Sequence, residues 1–241
     1  MLKKENSCEL KGLISDLNSL ADPEQAENLS RFFKTGRGQY GEGDLFLGIK
    51  VPVQRSLVKK FKALSLDDAI KLLKSKYHEH RLVALLLMVY RFEKVADEVE
   101  QKEIFEAYLA NVKYINNWDL VDLSAPNIIG GFLISRNRDI LFKLAVSDDL
   151  WEKRISVLAT YAFIKRGEVK DTFAIADLLM KDKHDLIHKA AGWMLREAGK
   201  RVSEKEEKRF LETRYKSMPR TMLRYAIERF SEEDRTYFMS R

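Results

Sequence analysis

Apolar residues recur along this chain at helical spacing. In Leu66-Asp-Asp-Ala-Ile-Lys-Leu-Leu73, Leu66, Ala69, Ile70 and Leu73 stand at i, i+3, i+4 and i+7, a stripe along one helix face. Similar stripes run through 150–164 and 186–195, and no stretch alternates as a half-buried strand does. The pattern predicts an all-α chain with helices near 8–20, 23–34, 52–63, 66–75, 79–94, 98–111, 117–129, 138–146, 149–165, 169–181, 185–199, 204–216, 219–229 and 231–238. Pro23, Pro52 and Pro219 sit just ahead of amphipathic runs, in the first-turn position that tolerates a missing N–H. Five of the eleven glycines fall between Gly36 and Gly48, which marks one long irregular segment.

The helices repeat in pairs. Lys74–Ala84, Asp148–Val157, Lys183–Gly192 and Ser217–Ile227 can be written in register, each with a basic residue followed by a short apolar triplet. The basic residues are Arg81, Arg154, Lys189 and Arg224, separated by 73, 35 and 35 residues, so a repeat of about 36 fits. Such a period predicts one domain over residues 1–241, a curved solenoid of HEAT-like antiparallel helix pairs. Equivalent positions in successive repeats share a face, so the four cations are expected to form a line, suited to a phosphate backbone. They fall in the first turns of their helices, where anions are favoured.

Composition narrows the class. The chain is 45% apolar and 33% charged, with 43 Lys+Arg against 37 Asp+Glu, a net +6. That excess permits a nucleic-acid partner and becomes informative only if gathered on one face. The single cysteine, Cys8, excludes an internal disulfide framework or a multi-cysteine zinc site. No apolar run follows the basic start, and charge-free stretches such as Leu82–Tyr90, nine residues, and Leu123–Ser135, thirteen, fall short of the about 20 a membrane span needs. An intracellular, cytoplasmic monomer is the expectation, at the nucleoid when it acts on DNA.

Halfway between Arg81 and Arg154 the line of cations is interrupted by Asn116-Asn-Trp-Asp-Leu-Val-Asp-Leu-Ser-Ala-Pro126. An aromatic ring and two carboxylates on a phosphate-gripping face need a chemical reason. Trp118 and Asp122 are four apart and share a helix face, whereas Asp119 points elsewhere and reads as a cap or solvent residue. By spacing alone, Trp118 also fits core packing and Asp122 an ion pair between repeats. His184 and His188 are also four apart, but no third ligand is evident, so helix-end or surface roles are expected of these and of His78 and His80, and no metal. The glycine-rich loop lacks the Gly-Lys-Ser/Thr of a triphosphate-binding loop.

At these residues the sequence resembles the DNA alkylation-repair family of HEAT-like-repeat DNA glycosylases, the AlkD-like group. The carrying motifs are Tyr40-Gly-Glu-Gly-Asp-Leu-Phe-Leu-Gly-Ile-Lys-Val-Pro52 with Arg55, Asn117-Trp-Asp-Leu-Val-Asp122, Leu150-Trp-Glu-Lys-Arg154, Asp182–Glu197 and Met218–Ile227. They run in order from about Glu24 to about Phe230. The resemblance implies a solenoid whose basic concave face cradles duplex DNA. It also implies excision of positively charged N3- or N7-alkylated purines, with neither metal nor organic cofactor and without base flipping. It makes Asp122 the catalytic carboxylate, Trp118 and Trp193 aromatic walls, and Arg154 and Arg196 phosphate grips. Lys189, Arg81, Arg224 and Arg55 join them as DNA contacts, while Phe32 stands where some members carry a hydroxylated ring.

That chemistry is internally consistent. A cationic purine needs no acid to leave, so charge develops on the sugar, where a fixed carboxylate and an electron-rich indole stabilise it. Two other readings remain at this point: a DNA-structure-binding relative that excises nothing, and a protein-interaction scaffold, the latter at odds with a cation in each repeat.

Overall fold

The computed structural model describes the backbone of residues 2–240 and the side chains of 9–240. Cys8 therefore has its side chain outside the described residues. The described chain is helical, its one β element an isolated bridge between Leu45 and Tyr77. In chain order the α-helices are α1 Leu2–Ser19, α2 Pro23–Phe32, α3 Val51–Lys60, α4 Leu66–Leu73, α5 His78–Lys94, α6 Glu98–Ala110, α7 Trp118–Asp122 and α8 Gly131–Leu133. They continue with α9 Asp139–Ala145, α10 Leu150–Ala159, α11 Tyr161–Ile164, α12 Lys170–Leu179, α13 Asp185–Arg201, α14 Glu204–Glu212, α15 Arg220–Ala226 and α16 Glu232–Met239. A π-helical turn, Pro126–Gly130, precedes α8.

Short polar residues set the starts. Asp22, Ser65, Asp97, Asp149, Ser203 and Ser231 each accept a hydrogen bond from an N–H in the first turn of the following helix. Pro23 occupies the first helical position of α2, whereas Pro219 stands one residue outside α15. The sequence predicts one helix over 117–129, but the structure breaks it: Pro126 has no N–H to continue the ladder, and the chain passes through the π turn instead. The run 149–165 is likewise divided at Thr160, whose hydroxyl donates to the Val157 carbonyl at 2.7 Å.

Two compact units result, Met1–Ser124 and Ala125–Arg241. In the first, α5 is the central rod. Its run Leu82–Val89 is buried on every side, and α3, α4, α6 and α7 pack around it. In the second, α10, α13 and α15 stack in succession. Helix α12 packs on α9, α10 and α13, and α14 on α13, the layering of a helix-pair repeat. Helices α10, α13 and α15 begin 35 residues apart, at Leu150, Asp185 and Arg220. Close approach has a sequence cause in Gly192, where a Cβ would lie 2.3 Å from the Met222 carbonyl oxygen of α15.

Candidate active site

Helix α7 is only five residues long, and its two ends do the presenting. The Asn117 side-chain oxygen accepts the Trp118 N–H at 2.9 Å. Asp119, Leu120 and Val121 are buried, while Trp118 and Asp122 are half-buried, one turn apart on the outward side. The Trp118 indole stacks on Phe33, 5.1 Å between centroids and 20° from parallel, and meets the edge of Phe32 at 5.9 Å. Phe32 is 63% exposed, so an aromatic surface continues from Trp118 outward. Beneath α7, the Tyr108 hydroxyl and Ser124 hydroxyl are hydrogen-bonded at 2.9 Å. Burial pushes the Tyr108 phenol upward, and the charge of Asp122 adds to it against the Ser124 hydrogen bond, so Tyr108 stays protonated.

Asp119 is not the cap or solvent residue its position suggests. It is 7% exposed, and its carboxylate accepts from His78 Nε2 at 2.8 Å and from the Leu120 N–H at 2.9 Å. The capping is done by Asn117. The other ring nitrogen of His78, Nδ1, meets Asp44 at 3.1 Å. Asp44 comes from the glycine-rich loop and also receives Arg81 at 2.5 Å and the Asn117 amide at 3.2 Å. Burial would raise the Asp44 carboxyl, but His78, Arg81 and Asn117 outweigh it and hold the group below the usual carboxylate range. The neighbouring Glu79, 1% exposed, gathers the N–H groups of Leu47, Gly48 and Ile49 at 2.9, 2.8 and 3.2 Å. His78 and His80 are thus buried rather than surface histidines, and burial, reinforced by Arg81, pushes His80 down to about 4.

Two of the four cations expected in a line, Arg81 and Arg154, are buried within their own units. Arg81 is 4% exposed and committed to Asp44 and the Ser75 carbonyl. Arg154, 5% exposed, donates to the Leu186 carbonyl at 2.6 Å and ties α10 to the start of α13. A cation near a solenoid surface can serve the packing of its own helices, and these two do. Lys189 and Arg224 are accessible and line one groove of about 690 Å³ with Asp185, Thr221, Tyr225 and Glu228. Lys189 pairs with Asp185 at 2.7 Å; Arg224 makes no ion pair among the described residues. On α13, Trp193 is half-buried between Lys189, four residues before it, and Arg196, three after. Arg196 pairs with Glu228 and lies 3.7 Å from Glu197. Arg55 is exposed on α3.

Residues 13–230 match a family model described as DNA alkylation repair enzyme. The chain belongs to the DNA alkylation repair enzyme family. A solved structure described as a predicted DNA alkylation repair enzyme from Enterococcus faecalis is similar in fold. At 17% identity it has a TM-score of 0.72, with 88% of this chain and 97% of that chain covered. No curated protein matches the sequence.

The sequence placed Trp118 and Asp122 on one helix face, did not single out Asp44 or Glu79, and read His78 as a surface or helix-end residue. A signal was present: His78-Glu-His-Arg81 runs straight into the eight apolar residues Leu82–Val89, and charges entering such a run need partners nearby. The other two histidines are occupied locally. His184 accepts the Leu186 N–H, and His188 Nε2 meets the Asp182 carbonyl at 2.6 Å. Among the described residues, no three His, Cys, Asp or Glu side chains gather as a metal site, and no helix is long and apolar enough to cross a membrane.

Proposed function

We propose that the protein is a monofunctional DNA glycosylase that hydrolyses the N-glycosidic bond of positively charged N3- or N7-alkylated purines in duplex DNA. The observation that carries this is the division of labour between the two acids of α7. Asp119 is turned inward to a buried imidazole, while Asp122 is half-buried and stands one turn from a braced indole, with its own polar surroundings. The C1′–N bond breaks with its electron pair going to the cationic purine, which leaves neutral. Positive charge develops on the deoxyribose, and Asp122 stabilises it and orients the attacking water, whose proton passes to solvent or to the carboxylate. The Trp118 face is the neighbour a cationic sugar favours. The Phe32 ring is exposed beside Trp118, a flat aromatic edge that suits approach from the backbone side with the lesion left stacked. On α13 and α15, Lys189, Trp193, Arg196 and Arg224 serve the duplex, and no metal or organic cofactor takes part.

The test is release of free methylated purine from alkylated duplex DNA in the presence of a chelator. Asp122→Asn should lower the rate roughly a hundred- to a thousandfold while duplex affinity holds. If the parent protein releases no base but binds duplex DNA as well as Asp122→Asn does, the protein is instead a DNA-binding relative without excision.

A further inference from the structure

The proposed reaction assigns no direct role to the buried polar cluster behind α7, in which His78, Asp44, Asp119, Arg81 and Asn117 are joined by hydrogen bonds. His78 opens α5 with its ring 2% exposed and a carboxylate at each nitrogen, Asp44 of the loop at Nδ1 and Asp119 of α7 at Nε2. A neutral imidazole has one N–H and one lone pair, so in this setting one nitrogen would face a carboxylate oxygen without a proton between them. Only the imidazolium donates to both. Charge balance agrees, because Arg81 answers one of the two buried carboxylates and the imidazolium answers the other.

The ring also touches what it does not bond. Phe46 stacks on His78 at 4.6 Å, and Phe33 lies tilted against it at 4.9 Å. Phe33 is the ring on which Trp118 rests. His78 therefore reaches Trp118 by two routes, through Phe33 and through Asp119, the next residue in the chain. The same Asp44 that holds His78 takes the amide of Asn117, the residue that caps α7.

We propose that His78 is a positioning residue for the excision reaction: bridging Asp44 and Asp119 as an imidazolium, it locks the Trp118–Asp122 turn in the orientation the sugar requires. The proposal rests on the glycosylase reading for its role in the reaction, though not for the bridge itself. The groups facing the ring are Asp44 from the loop, Asp119 from α7 and the rings of Phe33 and Phe46. Arg81 on the same helix acts through Asp44, and Glu79 turns away to the backbone of the loop. Burial opposes the charge, but Asp119 and then Asp44 outweigh it and hold His78 up at about 9. The lock therefore opens on the alkaline side.

The experiment follows the indole N–H resonance of Trp118 in the full-length protein, labelled at tryptophan and assigned by loss of the peak in Trp118→Phe. In the parent it should move with a midpoint near pH 9. Asp119→Asn, close to the same shape, should shift that midpoint down toward the ordinary histidine range. In folded His78→Gln the transition should vanish, and excision should slow roughly ten- to a hundredfold with KM unchanged. An unmoved midpoint in Asp119→Asn, or a parental resonance and rate in folded His78→Gln, overturns the proposal. If His78→Gln does not fold, the parent titration and Asp119→Asn still decide it. If the protein excises nothing, the resonance shifts still decide whether His78 positions the turn, so the two failures are distinguishable.

Discussion

The indole of Trp118 lies nearly flat on the ring of Phe33, 20° from parallel, and Phe33 in turn stacks on Phe46 at 5.2 Å. Trp118 is thus the outer layer of a stack anchored in the glycine-rich loop and at the end of α2. Phe33 itself is 6% exposed. In the proposed reaction the indole gains from such backing, because its plane is fixed before the substrate arrives.

Phe33→Leu should separate bracing from burial. It keeps most of the apolar volume and loses the flat face, so stability should fall by about 1–2 kcal/mol. Trp118 fluorescence should shift toward that of a solvated indole, and excision should slow while duplex affinity stays near that of the parent. Urea unfolding and single-turnover release measure the two effects, and an unchanged rate would show that Trp118 needs no backing.

Gly192 supports a prediction in the second unit. A Cβ there would meet the Met222 carbonyl oxygen at 2.3 Å and the Tyr225 Cβ at 2.6 Å, both on α15. Gly192→Ala gains helix propensity of about 1 kcal/mol within α13 but must push α15 away. The net change should be a loss of about 1–3 kcal/mol, as in other overpacked contacts. Duplex binding should weaken with it, since Lys189 and Arg224 line the groove between these helices. A thermal unfolding midpoint at or above that of the parent would refute the close-contact argument.

The helices were legible because each rule that sets them is local: an apolar stripe, a Ser or Asp cap, a proline near the start. Lys170–Leu179 and Glu232–Met239 begin within a residue of their predicted starts for that reason. The pairing of Trp118 with Asp122 was legible too, because a four-residue spacing fixes a shared face. What spacing leaves open is which way that face looks. Arg81 and Arg154 occupy the same repeat position as Lys189 and Arg224, yet the first two are turned into buried hydrogen bonds by Asp44 and by the Leu186 carbonyl. Asp44 lies 37 residues before Arg81, about one repeat, but in an irregular loop whose path no apolar stripe sets. Asp119 and His78 are likewise far apart in the chain, by 41 residues.

Glu207 on α14 gives a pH prediction. It is 2% exposed, and one of its oxygens sits against Gly199, where any larger residue would collide with it. Burial, with Glu204 adding and Arg196 and Lys208 opposing, raises its carboxyl from 4.5 to about 9. The folded form therefore holds a proton that the unfolded chain releases above about 4.5. Stability from this group is complete below that pH and is lost as pH rises toward 9. Glu207→Gln mimics the protonated acid and should remove the slope. Its stability should match the parent near pH 4.5 and exceed it by roughly 2–4 kcal/mol at pH 8. Equal melting temperatures at both pH values would mean that Glu207 ionises normally.

Arg196 already has an anion. Its guanidinium pairs with Glu228, which is 59% exposed and lines the groove that holds Lys189 and Arg224. If Arg196 grips a phosphate as proposed, that phosphate must displace the carboxylate, and Glu228 would compete for the same cation. Exposed pairs of this kind are worth about 0.2–1 kcal/mol, so Glu228→Gln should tighten duplex binding about two- to fivefold, most at low salt. Arg196→Ala should weaken binding and flatten the dependence of log K on log salt by about 0.9, one phosphate contact. Arg224→Ala should flatten it by the same amount, since that side chain is accessible and makes no ion pair among the described residues. Arg81→Ala should instead destabilise the first unit by about 3–5 kcal/mol, because it leaves the buried Asp44 short of its guanidinium. Filter binding across a salt series, beside unfolding of each variant, separates these outcomes. Weaker binding by Glu228→Gln would remove Arg196 from the phosphate contacts and leave Lys189 and Arg224 to carry them.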